Sequence, residues 1–430
     1  MRTARPDRAA EVAIERLGAL GDGIAETELG PMYVPDALPG ERMVVRMGKP
    51  RGSGISARTV ERLQTSDARV EPDCRHFGRC GGCVAQHMAE GLYRDWKLNA
   101  LYDTFKRYGL PEDAIGDLHV CTPARRRVRF AAVGRRETAV VGFNARASGQ
   151  ILDLAACSIA DPAIVALLEP LRELCGKLLK PKQHCDIEVL AADNGLDVMM
   201  AGRIRLNARA RSELTEFAGS HGILRLSIQQ DPREEPEEVV RFDWPGVSFG
   251  ETACHPPPGA FLQPSTAGEA ALREAVQLMI PPNTLRIAEL YAGCGTFSLP
   301  LAAAGYRVSA YEGGEAMVRS MTQAAGRASL GGRLSGSVRD LTRQPLMPAE
   351  LSNIDLVLLD PPRNGAGPQA ELLAEAAVPA IVYVSCNPAS FARDAAVLSQ
   401  NGFTLVRALP IDQFVYSPHL ELVSLLLRDA

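Results

Sequence analysis

The sequence predicts an α/β protein: a doubly wound sheet over residues 256–430, preceded by a small β-barrel over 1–66 and a central α+β region over 67–255. Three observations carry that prediction. After Pro256-Pro257-Pro258-Gly259, apolar runs recur at Leu285–Leu290, Arg307–Tyr311, Ile354–Leu359, Ile381–Val384, Phe403–Leu409 and Leu420–Leu427, most of them separated by helical stretches, the rhythm of parallel strands joined by crossover helices. The first run leads into a Gly-x-Gly turn and then a helix. The last two runs lie too close for an intervening helix, so they predict an antiparallel hairpin.

Composition bounds what such a chain can do. At roughly 100–200 residues per domain, 430 residues predict about three domains. An apolar share of 46% supplies material for their cores and excludes wholesale disorder. No run of about 18 apolar residues occurs, which argues against a membrane-spanning helix. With 47 basic and 51 acidic residues, a uniformly basic nucleic-acid coat is excluded and a local basic patch is not. The stretch Met1 to Gly18 mixes arginines with Asp7, Glu11 and Glu15 and has no apolar segment of a secretory leader, so a cytoplasmic location is expected. In a reducing compartment the ten cysteines read as metal ligands or catalysts rather than disulfides.

In chain order, the first elements are short strands around Val-Ala-Ile (Glu11 to Arg16) and Met-Val-Val (Arg42 to Met47), punctuated by glycines and prolines. Arg42 to Arg62 holds six basic residues and one acidic residue, which fits either a phosphate-contacting surface or a solvated edge guarded by charge. Next, Cys74, Cys80 and Cys83 stand in a Gly-rich loop with C-x5-C-x2-C spacing, and Cys157 follows the Ile151–Leu154 strand. A loop of this kind can wrap three sulfurs around one point; zinc, with His76 or His87 as further ligands, stays open beside an iron–sulfur centre. Leu92 to Tyr108 predicts an amphipathic helix. The central region predicts strands at Ala139–Phe143, Ile187–Ala191, Asp197–Met200 and Ile223–Ile228, with helices at Asp161–Leu179 and Leu206–Phe217. Arg125, Arg126, Arg127, Arg129, Arg135 and Arg136 form the densest basic run; alternate residues of a strand share a face, so Arg125, Arg127 and Arg129 would point together toward phosphates or toward solvent alone.

The sheet's carboxyl edge gathers the residues with chemistry. Tyr291-Ala292-Gly293-Cys294-Gly295-Thr296 follows the first strand, and the two glycines let the backbone approach a ligand. Glu312 ends the next strand, where a carboxylate suits a ribose diol, and Asp340 follows the third, where an adenine amino group could be met. This arrangement resembles the class I S-adenosylmethionine methyltransferase fold. The fourth strand ends in Asp360-Pro361-Pro362-Arg363, whose prolines stiffen the loop. The fifth ends in Val384-Ser385-Cys386-Asn387-Pro388, with Asn387 as helix N-cap. A sulfur beside a helix N-terminus is expected to be biased toward thiolate.

Asp-Pro-Pro-Arg and Val-Ser-Cys-Asn-Pro, with Ala392-Arg393-Asp394 following, resemble the RNA uracil-5 methyltransferase family. So do Phe261-Leu262-Gln263-Pro264-Ser265, Asp412-Gln413-Phe414 and His419-Leu420-Glu421, while the N-terminal barrel resembles a TRAM module more loosely. Val415, Tyr416 and Ser417 depart from that family's Pro-His-Thr. The resemblance implies Cys386 as nucleophile and Glu421 as base, with Gln263, Tyr291, Gly293, Gly295, Thr296, Glu312, Asp340 and Asp360 around S-adenosylmethionine. Its iron–sulfur-containing ribosomal-RNA branch implies a [4Fe–4S] cluster on Cys74, Cys80, Cys83 and Cys157 in preference to zinc, and methylation of a 23S ribosomal RNA uridine. The same chemistry on transfer RNA and a non-catalytic RNA-binding factor are the rival readings. The chain is expected to act as a monomer, without membrane or obligate protein partner.

Overall fold

A computed structural model describes residues 9–429; the first eight residues, part of the stretch read above for a leader, lie outside the described residues. The chain divides into two compact units, one of Met1–Asp103, Ala145–Ala147 and Tyr416–Pro418, the other of Thr104–Asn144, Ser148–Val415 and His419–Ala430.

The first unit is built on a six-stranded, mostly antiparallel sheet drawn from Ala9 to Gln64. Its long hairpin, Arg42–Arg51 with Gly54–Gln64, carries three register shifts, which bend and twist the strands. Met32, Val34, Met43 and Val45 are fully buried and form the core with Val12 and Ile14. Gly54 is obligatory, because a Cβ there would run into the Pro31 carbonyl. The cysteine loop follows, and the helix Glu90–Tyr108 after it starts two residues earlier than the sequence predicts.

The second unit holds two large sheets. A seven-stranded sheet covers Arg127 to Arg241 and includes all four central strands predicted from sequence. The predicted helix Asp161–Leu179 is divided at Leu167 into Pro162–Ala166 and Leu168–Leu178. The eight-stranded sheet contains every one of the six predicted C-terminal runs. Its parallel part pairs Leu334–Val338, Arg307–Glu312, Arg286–Leu290, Leu356–Leu359 and Ala380–Ser385 in that spatial order. The final hairpin is antiparallel as expected, and Glu421–Arg428 inserts between Ala380–Ser385 and Phe403–Asp412. His119–Val120 adds an eighth, edge strand from well before the doubly wound segment.

Helices cover both faces of this sheet because its central strands are apolar on both sides. Leu356, Val357, Leu358 and Leu359 are all fully buried, as are Ile381, Val382, Tyr383 and Val384. Among the described residues no helix is long and apolar enough to cross a membrane.

Candidate active site at the carboxyl edge of the sheet

Strand register assembles the site. Leu290 stands level with Tyr311 on one side and Leu359 on the other. The residues just beyond, Tyr291, Glu312 and Asp360, therefore emerge along one edge, and Asp360 N–H donates to the Leu290 carbonyl at 3.2 Å. Leu359 pairs with Tyr383, so Cys386 leaves the sheet at that edge too. Leu422 pairs antiparallel with Ser385, which sets Glu421 on the next rung, opposite Cys386.

The glycine loop has the shape of a ligand cradle. Tyr291 adopts a left-handed φ of 66°, strained for a non-glycine residue. A Cβ on Gly293 would meet nothing within 4 Å, whereas on Gly295 it would press on Met321 and Leu299. Glu312 accepts the Gly293 N–H at 2.9 Å and the Gly314 N–H at 2.8 Å. That fixes its carboxylate and leaves each oxygen a lone pair for a diol. Thr296 is half-buried, and Asp340 is exposed with its carboxylate accepting from Thr342 N–H at 3.1 Å. Gln263 is buried; Arg126 holds its carbonyl at 3.1 Å and pairs with buried Glu269 at 2.5 Å.

The Asp-Pro-Pro-Arg loop is tied to the helix Pro388–Gln400. Asn387 caps that helix at Ala389 N–H and its Nδ2 donates to the Arg363 carbonyl at 3.0 Å, while Ser390 Oγ donates to the same carbonyl. Asp394 accepts from Ala366 N–H at 2.7 Å and from the Tyr383 hydroxyl at 2.8 Å. The Ala392-Arg393-Asp394 segment is thus the anchor of the loop that presents Asp360 and Arg363.

The electrostatics correct one expectation. Cys386 is half-buried, and burial together with the facing Glu421 and Asp360 pushes its thiol up to about 11, against the opposing charge of Arg363. Desolvation and two acids outweigh the helix N-terminus, so the free protein holds a thiol at neutral pH. Burial raises Glu421 to about 8, with Asp360 adding to the rise and the Gln413 amide opposing it. Burial likewise raises Asp360 to about 7, and Glu312 adds to that.

Two features were not read from the sequence. Glu289, buried in the strand before the glycine loop and hydrogen-bonded to Ser298, is raised by burial to about 8; a lone acid inside an apolar strand was the available signal. Gln413 Nε2 donates to Gln263 Oε1 at 2.7 Å and to Glu421 Oε1 at 2.9 Å.

A stacked rim borders the edge. Arg125 lies 5.6 Å over the Phe414 ring, Phe414 packs edge-on to His419 at 5.7 Å, and Arg363 Nη2 is 3.3 Å from His419 Nδ1. Of the basic run, Arg129 is exposed, Arg125 and Arg127 are half-buried, Arg126 turns into the core, and Arg127 is paired with Glu188 at 2.8 Å.

The cysteine loop belongs to the first unit and Cys157 to the second. Cys80 is buried and its sulfur accepts the Gly82 N–H at 3.4 Å. Nearby His87 is fully buried beside Phe77, with neither ring nitrogen hydrogen-bonded, and burial lowers it to about 3. The donor types fit a thiolate-held centre. Among the described residues, however, no three His, Cys, Asp or Glu side chains stand together as a ligating group.

Comparison with known proteins gives four results. The family model for tRNA (uracil-5-)-methyltransferases matches residues 335–429. An uncharacterised RNA methyltransferase of Mesorhizobium japonicum is 38% identical over 97% of this chain and 98% of its own length. A 23S rRNA (uracil(1939)-C(5))-methyltransferase of Chromohalobacter salexigens is 35% identical over 99% of this chain and 91% of its own. The crystal structure of Pyrococcus abyssi tRNA (uracil-54, C5)-methyltransferase with S-adenosyl-L-homocysteine shares the fold, with a TM-score of 0.75 and 19% identity over 97% of this chain and 99% of that one.

Proposed function

The chain belongs to the RNA uracil-C5 methyltransferase family, and from that premise we propose that it methylates a uridine of 23S ribosomal RNA through a covalent Cys386 adduct resolved by Glu421. The observation that carries this reading is the rung that faces Glu421 toward Cys386, beside Asp360 and the glycine loop. Uracil C5 is too weak a nucleophile to be methylated directly. Cys386 forms a bond to C6, its proton passing to a neighbouring base, and the C5=C6 electrons become available at C5. S-adenosylmethionine supplies the methyl group as an electrophile. Glu421 then takes the C5 proton, the C5=C6 bond re-forms, and the sulfur leaves C6 with the bonding pair. Gln263, Tyr291, Gly293, Gly295, Thr296, Glu312, Asp340 and Asp360 are proposed to hold the methyl donor; the open face at Gly293 and the fixed Glu312 carboxylate support that assignment.

The target base has to leave its stack to reach this edge, at a cost of a few kcal/mol. The cationic rim from Arg125 to Arg363 and, separately, the basic strands of the first unit are surfaces proposed to contact RNA phosphates. The relative active on 23S rRNA favours the ribosomal substrate. Labelled methyl transfer to separated RNA pools from cells lacking this gene tests it: label is expected in 23S RNA as 5-methyluridine, and label confined to transfer RNA overturns the ribosomal assignment.

The division into 1–66, 67–255 and 256–430 is kept as a proposal for the functional modules. For the cysteine loop we propose a structural [4Fe–4S] cluster, supported by the C-x5-C-x2-C spacing and the N–H···S contact at Cys80; no step of the reaction passes through it. Anaerobically purified protein is expected to carry iron and acid-labile sulfide in equal amounts, both lost in Cys80→Ser. Zinc without sulfide overturns this assignment.

A further inference from the structure

Gln413 lies at the end of the strand Phe403–Asp412, 3% exposed, between two groups of the site. Its amide nitrogen has two hydrogens, and the structure spends both: one on Gln263 Oε1 at 2.7 Å and one on Glu421 Oε1 at 2.9 Å. An ionised carboxylate can only accept, so the atom facing a Glu421 base has to be nitrogen. The same nitrogen then requires the carbonyl oxygen of Gln263 on its other side. The donor end of Gln263 is therefore the one not spent on Gln413. The arrangement has a cost: Gln413 Oε1 is buried with no hydrogen-bond partner. Space for it is made by Gly268, where a Cβ would come within 2.5 Å of that oxygen. A side chain that leaves its own acceptor unsatisfied in order to donate twice is placed for donation.

Resting on the covalent reading above, we propose that Gln413 is a positioning residue for proton removal from C5: it orients the Glu421 carboxylate and, through the same nitrogen, fixes the orientation of the Gln263 amide. Without the donated N–H, Glu421 loses the one contact that favours its charged form against burial and the neighbouring Asp360. Cys386 is the other titratable group facing it. Proton removal then slows while methyl transfer to C5, which needs no base, continues. The bond from Cys386 to C6 persists until the C5 proton is taken, so methylated RNA stays attached to the protein.

The test uses full-length protein and RNA carrying [5-³H]uridine, following methyl incorporation and tritium release together. In the wild type the two run in step. In Gln413→Met, tritium release is expected to fall about 10- to 100-fold, the range for a lost hydrogen bond to a charged group, with a denaturation-stable protein–RNA adduct building up. Gln413→Leu also lacks the donor, adds no titratable group, and is expected to show the same split; it carries the test should Met disturb the packing. Methyl incorporation and tritium release that stay in step in both variants, at any rate, overturn the proposal. Wild-type protein that forms no adduct with 5-fluorouridine RNA overturns the covalent reading itself, and this assignment with it.

Discussion

Cys386→Ala is expected to abolish methyl transfer, by at least on the order of 10³-fold, while leaving the thermal transition and RNA binding near wild type. The loop around the half-buried thiol is tied through Asn387, Ser390 and Asp394 rather than through the sulfur. Removing the sulfur therefore removes chemistry and little else. Because burial, Glu421 and Asp360 raise the thiol to about 11, the fraction of thiolate keeps growing with pH across the working range. Adduct formation between wild-type protein and 5-fluorouridine RNA, which lacks a removable C5 proton, is accordingly expected to accelerate steadily from pH 7 to pH 9. Replacing Arg363, a cation opposing that rise, is expected to slow it. Methyl transfer surviving in Cys386→Ala would remove the nucleophile assignment.

Much of this site was legible before any coordinates, for a local reason. The motifs around Asp360 and Cys386 are strand ends, and a parallel sheet delivers strand ends to one edge whatever the rest of the chain does. Glu421 was legible only by resemblance, since its place opposite Cys386 depends on how the last hairpin inserts. Strand Leu334–Val338 reads Leu-Ser-Gly-Ser-Val and lacks an apolar run, because it sits beside only one neighbour and is largely open. His119–Val120 is two residues long and carries no pattern at all. The state of Cys386 was misjudged because a helix N-terminus is visible in sequence and the facing acids are not. Arg126 likewise reads as one more cation in a basic run; its buried partner Glu269 is 143 residues away.

Glu421→Gln separates the two halves of the reaction and should do so with opposite signs. A glutamine keeps the shape and the hydrogen bond accepted from Gln413, yet cannot take the C5 proton. Turnover is expected to fall by about 10²–10⁴-fold, the range for a lost general base. Above about pH 8, where Glu421 is ionised, adduct formation is expected to become faster, because a neutral amide no longer raises the Cys386 thiol. Ordinary uridine RNA, methylated and still attached, should then accumulate on the variant and not on the wild type. Stability moves as well. Burial holds the folded-state value of Glu421 near 8, well above its ordinary 4.5, so the folded protein binds the proton more tightly than the unfolded chain. That contribution is complete below pH 4.5 and is lost as pH rises through 8. Wild-type and Glu421→Gln proteins should melt alike near pH 4.5 and diverge by pH 9, with the variant the more stable. A base kept half-protonated by its surroundings costs stability at the pH where it works, and that trade is what an equal melting curve at pH 9 would refute.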